Sequence, residues 1–242
     1  QLRAAGPMVN LSEVLSRIPG VVANNRHNYA QDLQISSRGF GARASFGIRG
    51  IRLYSDGIPA SGPDGQGQVS HADLAGAERV EVLRGPFSAL YGSSSGGVIS
   101  VVGSAPAERR WSVEGDVGSD GLRQLRLGVA APLDGGFHLR ASLSRFEIEG
   151  FRPHSSAERT LGNVRLGWDG ASDRVVVVLN SINQPALDPL GLTPEDFAAD
   201  PDRTVAVALP QSTPGEPSRF NTRKSTRQDQ LGVHWRHRFS DT

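Results

Sequence analysis

Two stretches carry residues spaced for chemistry: Ser93-Ser94-Ser95, three consecutive hydroxyls, and Gly39-Phe40-Gly41-Ala42-Arg43-Ala44, with the spacing of a phosphate-cradling loop. Neither is completed by its context. The serines lack the glycine-flanked strand-to-helix turn that exposes a nucleophile, and no base can be assigned to them. A G-x-G-x-x-A loop holds a pyrophosphate only where a helix follows, and Ser45-Phe46-Gly47-Ile48-Arg49-Gly50 is a poor helix. His234 and His237, three apart on an extended stretch, point to opposite faces and cannot share a metal. Asp64-Gly65-Gln66-Gly67-Gln68 has too few carboxylates for a calcium loop. No catalytic residue, cofactor site or metal site follows, and the chain does not read as an enzyme.

Two arginines are more informative. Arg84 ends the apolar run Arg79-Val80-Glu81-Val82-Leu83 just before Gly85-Pro86, and Arg38 precedes Gly39-Phe40 in a similar strand-then-glycine setting. Both are expected to be partly buried, and a buried guanidinium has to be paired. Gly39, Gly85, Gly92, Gly96 and Gly97 suit tight turns and close backbone approach, a positional role.

The elements that must hold these residues fall into two regions. Through about residue 107, helical and strand signals are short and mixed. Asn10 and Glu13 form a capping-box pair ahead of Leu11, Val14, Leu15 and Ile18, and Pro19-Gly20 ends that helix. Short strands are expected at 33–36, 51–54 (before the Asp56-Gly57 turn), 79–83 and 98–102. From Trp111 onward the period is two. Trp111, Val113, Gly115 and Val117 alternate with polar residues, as do Phe137, Leu139, Ala141 and Leu143, then Val164, Leu166 and Trp168, then Leu231, Val233 and Trp235. With 122–130 and 174–182, the second too uniformly apolar to show its register, this makes about six strands.

The connectors distinguish architectures. Tight turns at 119–121, 133–136 and 169–173 contrast with a longer 149–157 and a very long 184–227, the short-turn, long-loop arrangement of an outer-membrane barrel. Phe137, Trp168 and Phe239 then gather with Trp111 near the short turns, where an aromatic girdle belongs. Within 184–227, Thr193-Pro194-Glu195-Asp196 predicts a capped helix. Composition agrees: 242 residues with 29 Gly, 15 Pro and 37% hydrophobic residues suit a turn-rich β fold, and no apolar run is long enough for a spanning helix. A net charge of +1 argues for no nucleic-acid partner. The absence of cysteine excludes disulfides and thiolate metal sites. The chain begins at Gln1 without a secretion signal and reads as a processed or cut piece.

Ordered pieces of the first region resemble the plug domain of TonB-dependent outer-membrane receptors. They are Leu11 to Val21, Ile35-Ser36-Ser37-Arg38-Gly39-Phe40, Tyr54-Ser55-Asp56-Gly57-Ile58-Pro59, Ala77 to Pro86 with its Glu81 and Arg84-Gly85-Pro86, and Ala89-Leu90-Tyr91-Gly92 followed by Gly96-Gly97. Asp188-Pro189-Leu190-Gly191-Leu192-Thr193 is similar to a barrel-loop segment of some members. The resemblance implies an α+β plug, a small mixed sheet with short helices, over 1–107, and over 108–242 the antiparallel strands of a truncated transmembrane β-barrel. It implies that Arg38 and Arg84 anchor the plug on wall glutamates, and that a TonB box and further barrel strands lie outside this stretch.

The function so implied is import of a scarce large solute, a ferric siderophore or other metal chelate, across the bacterial outer membrane. The partners are TonB with its inner-membrane energising complex, outer-membrane lipid and the chelate. Polar, turn-forming Asn24, Asn25, Arg26, Asn28, Tyr29 and Gln31, with Asp64, Gln66 and Gln68, are the expected substrate contacts on apical loops. A signalling receptor of the same family, and a soluble carbohydrate-binding β-sandwich or enzyme, are the alternatives. Lipid-facing Leu139, Leu143, Val164 and Leu166 separate the barrel from the sandwich.

Overall fold

The computed structural model describes residues 6–44, 47–62, 64–67, 70–85, 88–92, 94–204 and 216–240. The first helix, α1 (Ser12–Leu15), is shorter than its apolar spacing suggests. Glu13 accepts hydrogen bonds from the backbone N–H groups of Met8 (2.7 Å), Val9 (2.9 Å) and Asn10 (2.7 Å), so its half of the capping box forms. The Asn10 half does not: Leu11 is the N-cap, without a side-chain bond. Leu11, Val14 and Leu15 nonetheless enter the core together.

After α1 come β1 (Val21–Asn24) and β2 (Gln34–Ser37), an antiparallel pair. β1 is not among the expected strands; its Val21 follows directly on the Pro19-Gly20 stop. Next are β3 (Ile51–Ser55), β4 (Ile58–Pro59), β5 (Arg79–Arg84), the short α2 (Ser88–Tyr91) and β6 (Gly97–Val102). They form a mixed sheet of order β4-β3-β6-β5, with β3 parallel to β6 and the other pairs antiparallel. Ile35, Ile48, Ile51, Leu53 and Ile99, all at most 2% exposed, fill the space between this sheet and α1.

The second region is a meander: β7 (Arg110–Val117), β8 (Arg123–Pro132), β9 (Phe137–Ile148), β10 (Ala157–Asp169), β11 (Asp173–Leu187) and β12 (Arg223–His237). These make one six-stranded antiparallel sheet in chain order, and β7 and β12 do not meet. One face points away from the N-terminal unit and is apolar: Val113, Leu127, Leu143, Val164, Leu179 and Val233 are all exposed there. No second sheet covers that face among the described residues, which removes the sandwich.

The apolar band has two limits. Trp111, Phe137, Trp168 and Trp235 mark one, and Phe137 and Trp168 lie 6.2 Å apart. At the other, outward residues turn polar: Arg123 on β8, Arg145 on β9, Thr160 on β10, Ser181 on β11 and Asp229 on β12. Arg145 contacts Glu147 (2.9 Å) and Glu158 (2.5 Å) there, and the Ser181 hydroxyl donates to Asp229 at 2.7 Å. Burial also resolves the register of β11, with Val176, Val178, Asn180 and Ile182 inward. β9 to β12 run beyond the band, so the long connector narrows to 188–222, carrying α3 (Pro194–Ala199) and α4 (Glu216–Phe220). Hydropathy alternation fades in these extensions because the outward residues turn polar and, on β12, the inward ones as well, although inward Phe146, Ala157, Leu161 and Ala186 stay buried.

Candidate functional site

The N-terminal unit lies against the polar face of the sheet, and the contact is built largely from sheet arginines. On β8, Arg126 donates to the Pro7 carbonyl at 2.7 Å and pairs with Glu114 (3.1 Å) and Asp116 (2.9 Å). On β9, Arg140 donates to the carbonyls of Ser104 (2.8 Å) and Gly76 (3.1 Å) and to the Ser104 hydroxyl (3.1 Å). On β10, Arg159, 3% exposed, donates to the Ser70 carbonyl, and Arg165 lies 3.3 Å from the Asp56 carboxylate. Strand parity aims all of them inward.

Asp56 occupies the tip of the β3–β4 hairpin with φ +51, followed by Gly57 at φ +83. Its carboxylate also accepts from the Gly103 N–H at 2.7 Å, tying the hairpin to the exit from β6. The hairpin leans on β12, where a Cβ added at Gly232 would meet Ile58 at 2.5 Å; only a glycine admits this approach. Between the plug residues 73–78 and 101–106 and strands β7 to β11 lies a cavity of about 590 Å³.

Arg38 and Arg84 are placed elsewhere. Both are exposed, neither forms a salt bridge among the described residues, and Arg84 donates to the Pro19 carbonyl at 2.7 Å. The expected burial is therefore corrected for this structure. β5 is the sheet edge opposite β4, so its end at Arg84 faces away from the strand that β4 meets. In this portion of the wall the polarity is reversed: sheet guanidinium groups reach acceptors on the N-terminal unit. Their signal was visible, since Arg140 and Arg165 occupy the polar parity of their strands, but parity does not identify a partner.

Of the other marked positions, Gly39 (φ +87), Gly85 (φ +132), Gly92 (φ +73) and Gly97 (φ +120) are all in conformations that favour glycine. Gly96 donates to the Gly50 carbonyl at 2.8 Å, Glu81 pairs with Arg79 at 2.6 Å, and Tyr91 meets Tyr54 edge-on at 5.7 Å. Pro86 and Gln68 lie outside the described residues.

The expected substrate loops lie together near the long connector. Asn28 donates to Asp188 at 2.7 Å, Gln31 donates to the same carboxylate, and Lys224 pairs with Asp32. Tyr29 packs on Phe146 at 5.0 Å, and burial with the field of Glu13 pushes its phenol up to about 12. Asn24 and Arg26 are exposed and Asn25 half-buried, its amide donating to Ser12 at 3.2 Å. Asp64 is exposed and accepts from Gln66 N at 3.1 Å, and Gln66 accepts from Arg49 at 3.2 Å. Lys224 and Arg152 carry no mark in the sequence reading, and Asp188 enters it only as the start of a barrel-loop segment, not as a contact of the plug loops. Arg152 donates to the carbonyls of Pro189, Leu190 and Arg203, and burial lowers its basicity while Asp188 opposes that.

An apolar-faced strand wall holding a small α+β unit on its polar side defines the plugged-barrel class of outer-membrane protein. Residues 1–99 match the TonB-dependent Receptor Plug Domain, and the chain carries this plug with strands of the barrel. It is 35% identical over 127 residues to the vitamin B12 transporter BtuB of Photobacterium profundum, covering 51% of this chain and 20% of that protein. It is 32% identical over 117 residues to the metal-pseudopaline receptor CntO of Pseudomonas aeruginosa, covering 47% and 16%. The fold matches the ferric citrate transporter FecA in its unliganded form with a TM-score of 0.76 at 23% identity, over 98% of this chain and 36% of that one. The ferric yersiniabactin uptake receptor FyuA from Yersinia pestis matches at 0.60 and 26%, over 72% and 29%. The chain thus spans about a third or less of each. These relatives are transporters and receptors, not enzymes, and the protein's place is the bacterial outer membrane, with the plug on the inner side of the barrel wall.

Proposed function

We propose that this chain supplies the gate of a receptor that imports a scarce, large solute, a ferric siderophore or another metal chelate, using energy delivered through TonB. The division is a plug over 1–107 and barrel strands over 108–242. The observation that carries the reading is the seam: Arg126, Arg140, Arg159 and Arg165 hold the plug chiefly through hydrogen bonds to carbonyls and one ion-pair contact. Such bonds contribute about 1 to 3 kcal/mol each, enough to keep a gate shut yet individually breakable by a pulling force.

Solute would meet the outer ends of the plug loops, with Asn24, Asn25, Arg26, Asn28, Tyr29, Gln31, Asp64, Gln66 and Gln68 as candidate contacts. Among them Asn28 and Gln31 are tied to Asp188 in this state. Arg38 and Arg84 would anchor the plug on wall carboxylates beyond this stretch. The partners are TonB with its inner-membrane complex and outer-membrane lipid.

The test is growth under iron limitation, with and without the gene, on a panel of ferric chelates as sole iron source. Loss of growth on one chelate, with direct binding of that chelate to outer membranes containing the receptor, supports the reading. Unchanged growth on every chelate removes iron from it.

A further inference from the structure

The cavity of about 590 Å³ between plug and wall ends at one level on three adjacent strands. Its inward wall residues nearest the long connector are Ser144 on β9, Asn163 on β10 and Asn180 on β11. The next inward residue on each strand is apolar and buried: Phe146 at 1% exposure, Leu161 at 4% and Ile182 at 1%. Leu161 and Ile182 are cross-strand partners, and Phe146 stands one step further out, opposite Arg159. Lumen-facing positions of a barrel wall are ordinarily polar, so an apolar row there stays dry only where the plug covers it.

Tyr29 supplies part of that cover. Its ring packs on Phe146 at 5.0 Å, and its carbonyl accepts from Gln184 Nε2 at 3.1 Å. Arg159 fixes the plug beside it, through the Ser70 carbonyl. The opposite end of the cavity has no such closure: its lining runs to Ala107, Glu108 and Arg110, all exposed, on the side of the short turns. The volume lies within the range of about 300 to 1,000 Å³ that ligand pockets occupy. Five carboxylates and four arginines line it, so it suits a polar solute without selecting strongly for charge.

We propose that the row Phe146, Leu161 and Ile182, capped by Tyr29, is the outer gate of a passage along the plug–wall seam, and that the cavity behind it is a chamber open towards the periplasm. A solute leaving the outer loops would cross the row where Tyr29 lifts from Phe146 and then enter the chamber. As a route for cargo this rests on the import reading; as a barrier it depends on the seam alone.

The test uses the complete receptor with Ser144→Cys, a thiol in the chamber just behind Phe146, as its only cysteine. In cells lacking general diffusion porins, sulfonatoethyl methanethiosulfonate approaches the receptor from outside; in membranes from lysed cells it approaches from both sides. Modification should be at least about tenfold slower in intact cells, because access from outside requires a local opening. Phe146→Ala should remove most of that difference, and Phe146→Leu, which keeps the row apolar, should preserve it. Arg140→Gln, which loosens the plug at the far end of the chamber, should leave the rate from outside unchanged. Should Phe146→Ala fail to reach the membrane, Tyr29→Ala, which alters no wall residue, takes its place. Fast labelling of the parent from outside, equally slow labelling in both preparations, or protection that survives loss of the gate residue would overturn the proposal. So would a Phe146→Leu as open as Phe146→Ala, or an equal effect of Arg140→Gln, which would mark loss of docking rather than of a seal. The import reading would survive any of those results, since the labelling is done without cargo.

Discussion

Asp188 and Asn28, 160 positions apart in the chain, are joined by a hydrogen bond of 2.7 Å from the Asn28 amide to the carboxylate. Gln31 donates to the other oxygen, and the Leu190 N–H adds a third bond at 2.9 Å. A plug loop and the long connector are thus latched through one carboxylate that is 8% exposed. Asp188→Ala leaves these donors without an acceptor, at a cost of about 2 kcal/mol. Backbone amides across 24–32 should then exchange with deuterium more than about tenfold faster. Asp188→Asn, which keeps one carbonyl acceptor, should fall between the two.

Arg159 is almost wholly buried, at 3% exposure, and the negative charges of Asp73 and Glu13 partly offset the cost of burying its guanidinium. Arg159→Met keeps the bulk but abandons the Ser70 carbonyl and the field of both carboxylates. Breaking one side of a buried ionic arrangement costs about 3 kcal/mol. The plug should come off the wall at a urea concentration lower by about 2 M, taking a slope typical of a small domain. A tryptophan-based probe in the plug would follow the transition, since Trp111, Trp168 and Trp235 lie on the wall.

His71 sits 2% exposed beside Arg159, and neither ring nitrogen has a hydrogen-bond partner among the described residues. Burial, and then the Arg159 charge, hold its pKa below the ordinary 6.5. The unfolded plug therefore binds the proton more tightly than the docked one. Docking is fully stable above 6.5 and weakens as the pH falls from there towards the depressed value. Urea midpoints should decline between about pH 7 and pH 5, and His71→Gln should flatten that part of the decline.

The outward face calls for an asymmetric response. Leu143→Arg places a charge within the apolar band and should cost about 2 to 4 kcal/mol, lowering the folded fraction in lipid vesicles. Ser144→Ala, one residue away but inward, should change assembly very little. Equal sensitivity at both positions would contradict the assignment of faces.

The strands were legible in the sequence wherever their two sides meet different solvents. Val113 and Glu114, Leu139 and Arg140, or Val164 and Arg165 announce this by alternation alone, which is why β7, β9, β10 and β12 were readable within the apolar band. The extensions through Glu158 and Arg223 to Thr226 were not, because outside the apolar band the outward residues are polar and inward ones such as Arg159 and Lys224 are polar too, held by plug groups rather than by an apolar core. Gly57, Gly85 and Gly97 could be recognised because their backbone conformations favour glycine. The partners of Arg126, Arg140 and Arg159 could not: a carbonyl acceptor belongs to every residue, so the bonds to Pro7, Gly76 and Ser70 leave no mark in composition. The same holds for Asp188, whose partners lie far away in the chain.

Gly232 offers the most direct test of how closely plug and wall fit. A Cβ there would lie 2.5 Å from Ile58 Cγ1 and 2.7 Å from Cδ1, well inside van der Waals contact. Gly232→Ala therefore forces the β3–β4 hairpin off β12 or bends Ile58 out of its rotamer, at about 1 to 3 kcal/mol. The strand itself tolerates alanine, so the loss should appear as a lower urea midpoint for plug release, with little change in the unfolding of the wall. Ile58→Ala alone loses apolar contact and weakens docking modestly. Combined with Gly232→Ala, it removes the clash, and the double variant should dock better than Gly232→Ala alone. That non-additivity is the signature of a direct contact. Strictly additive losses would mean that the hairpin does not rest on Gly232, and that the plug is held by its arginine ties without this wedge.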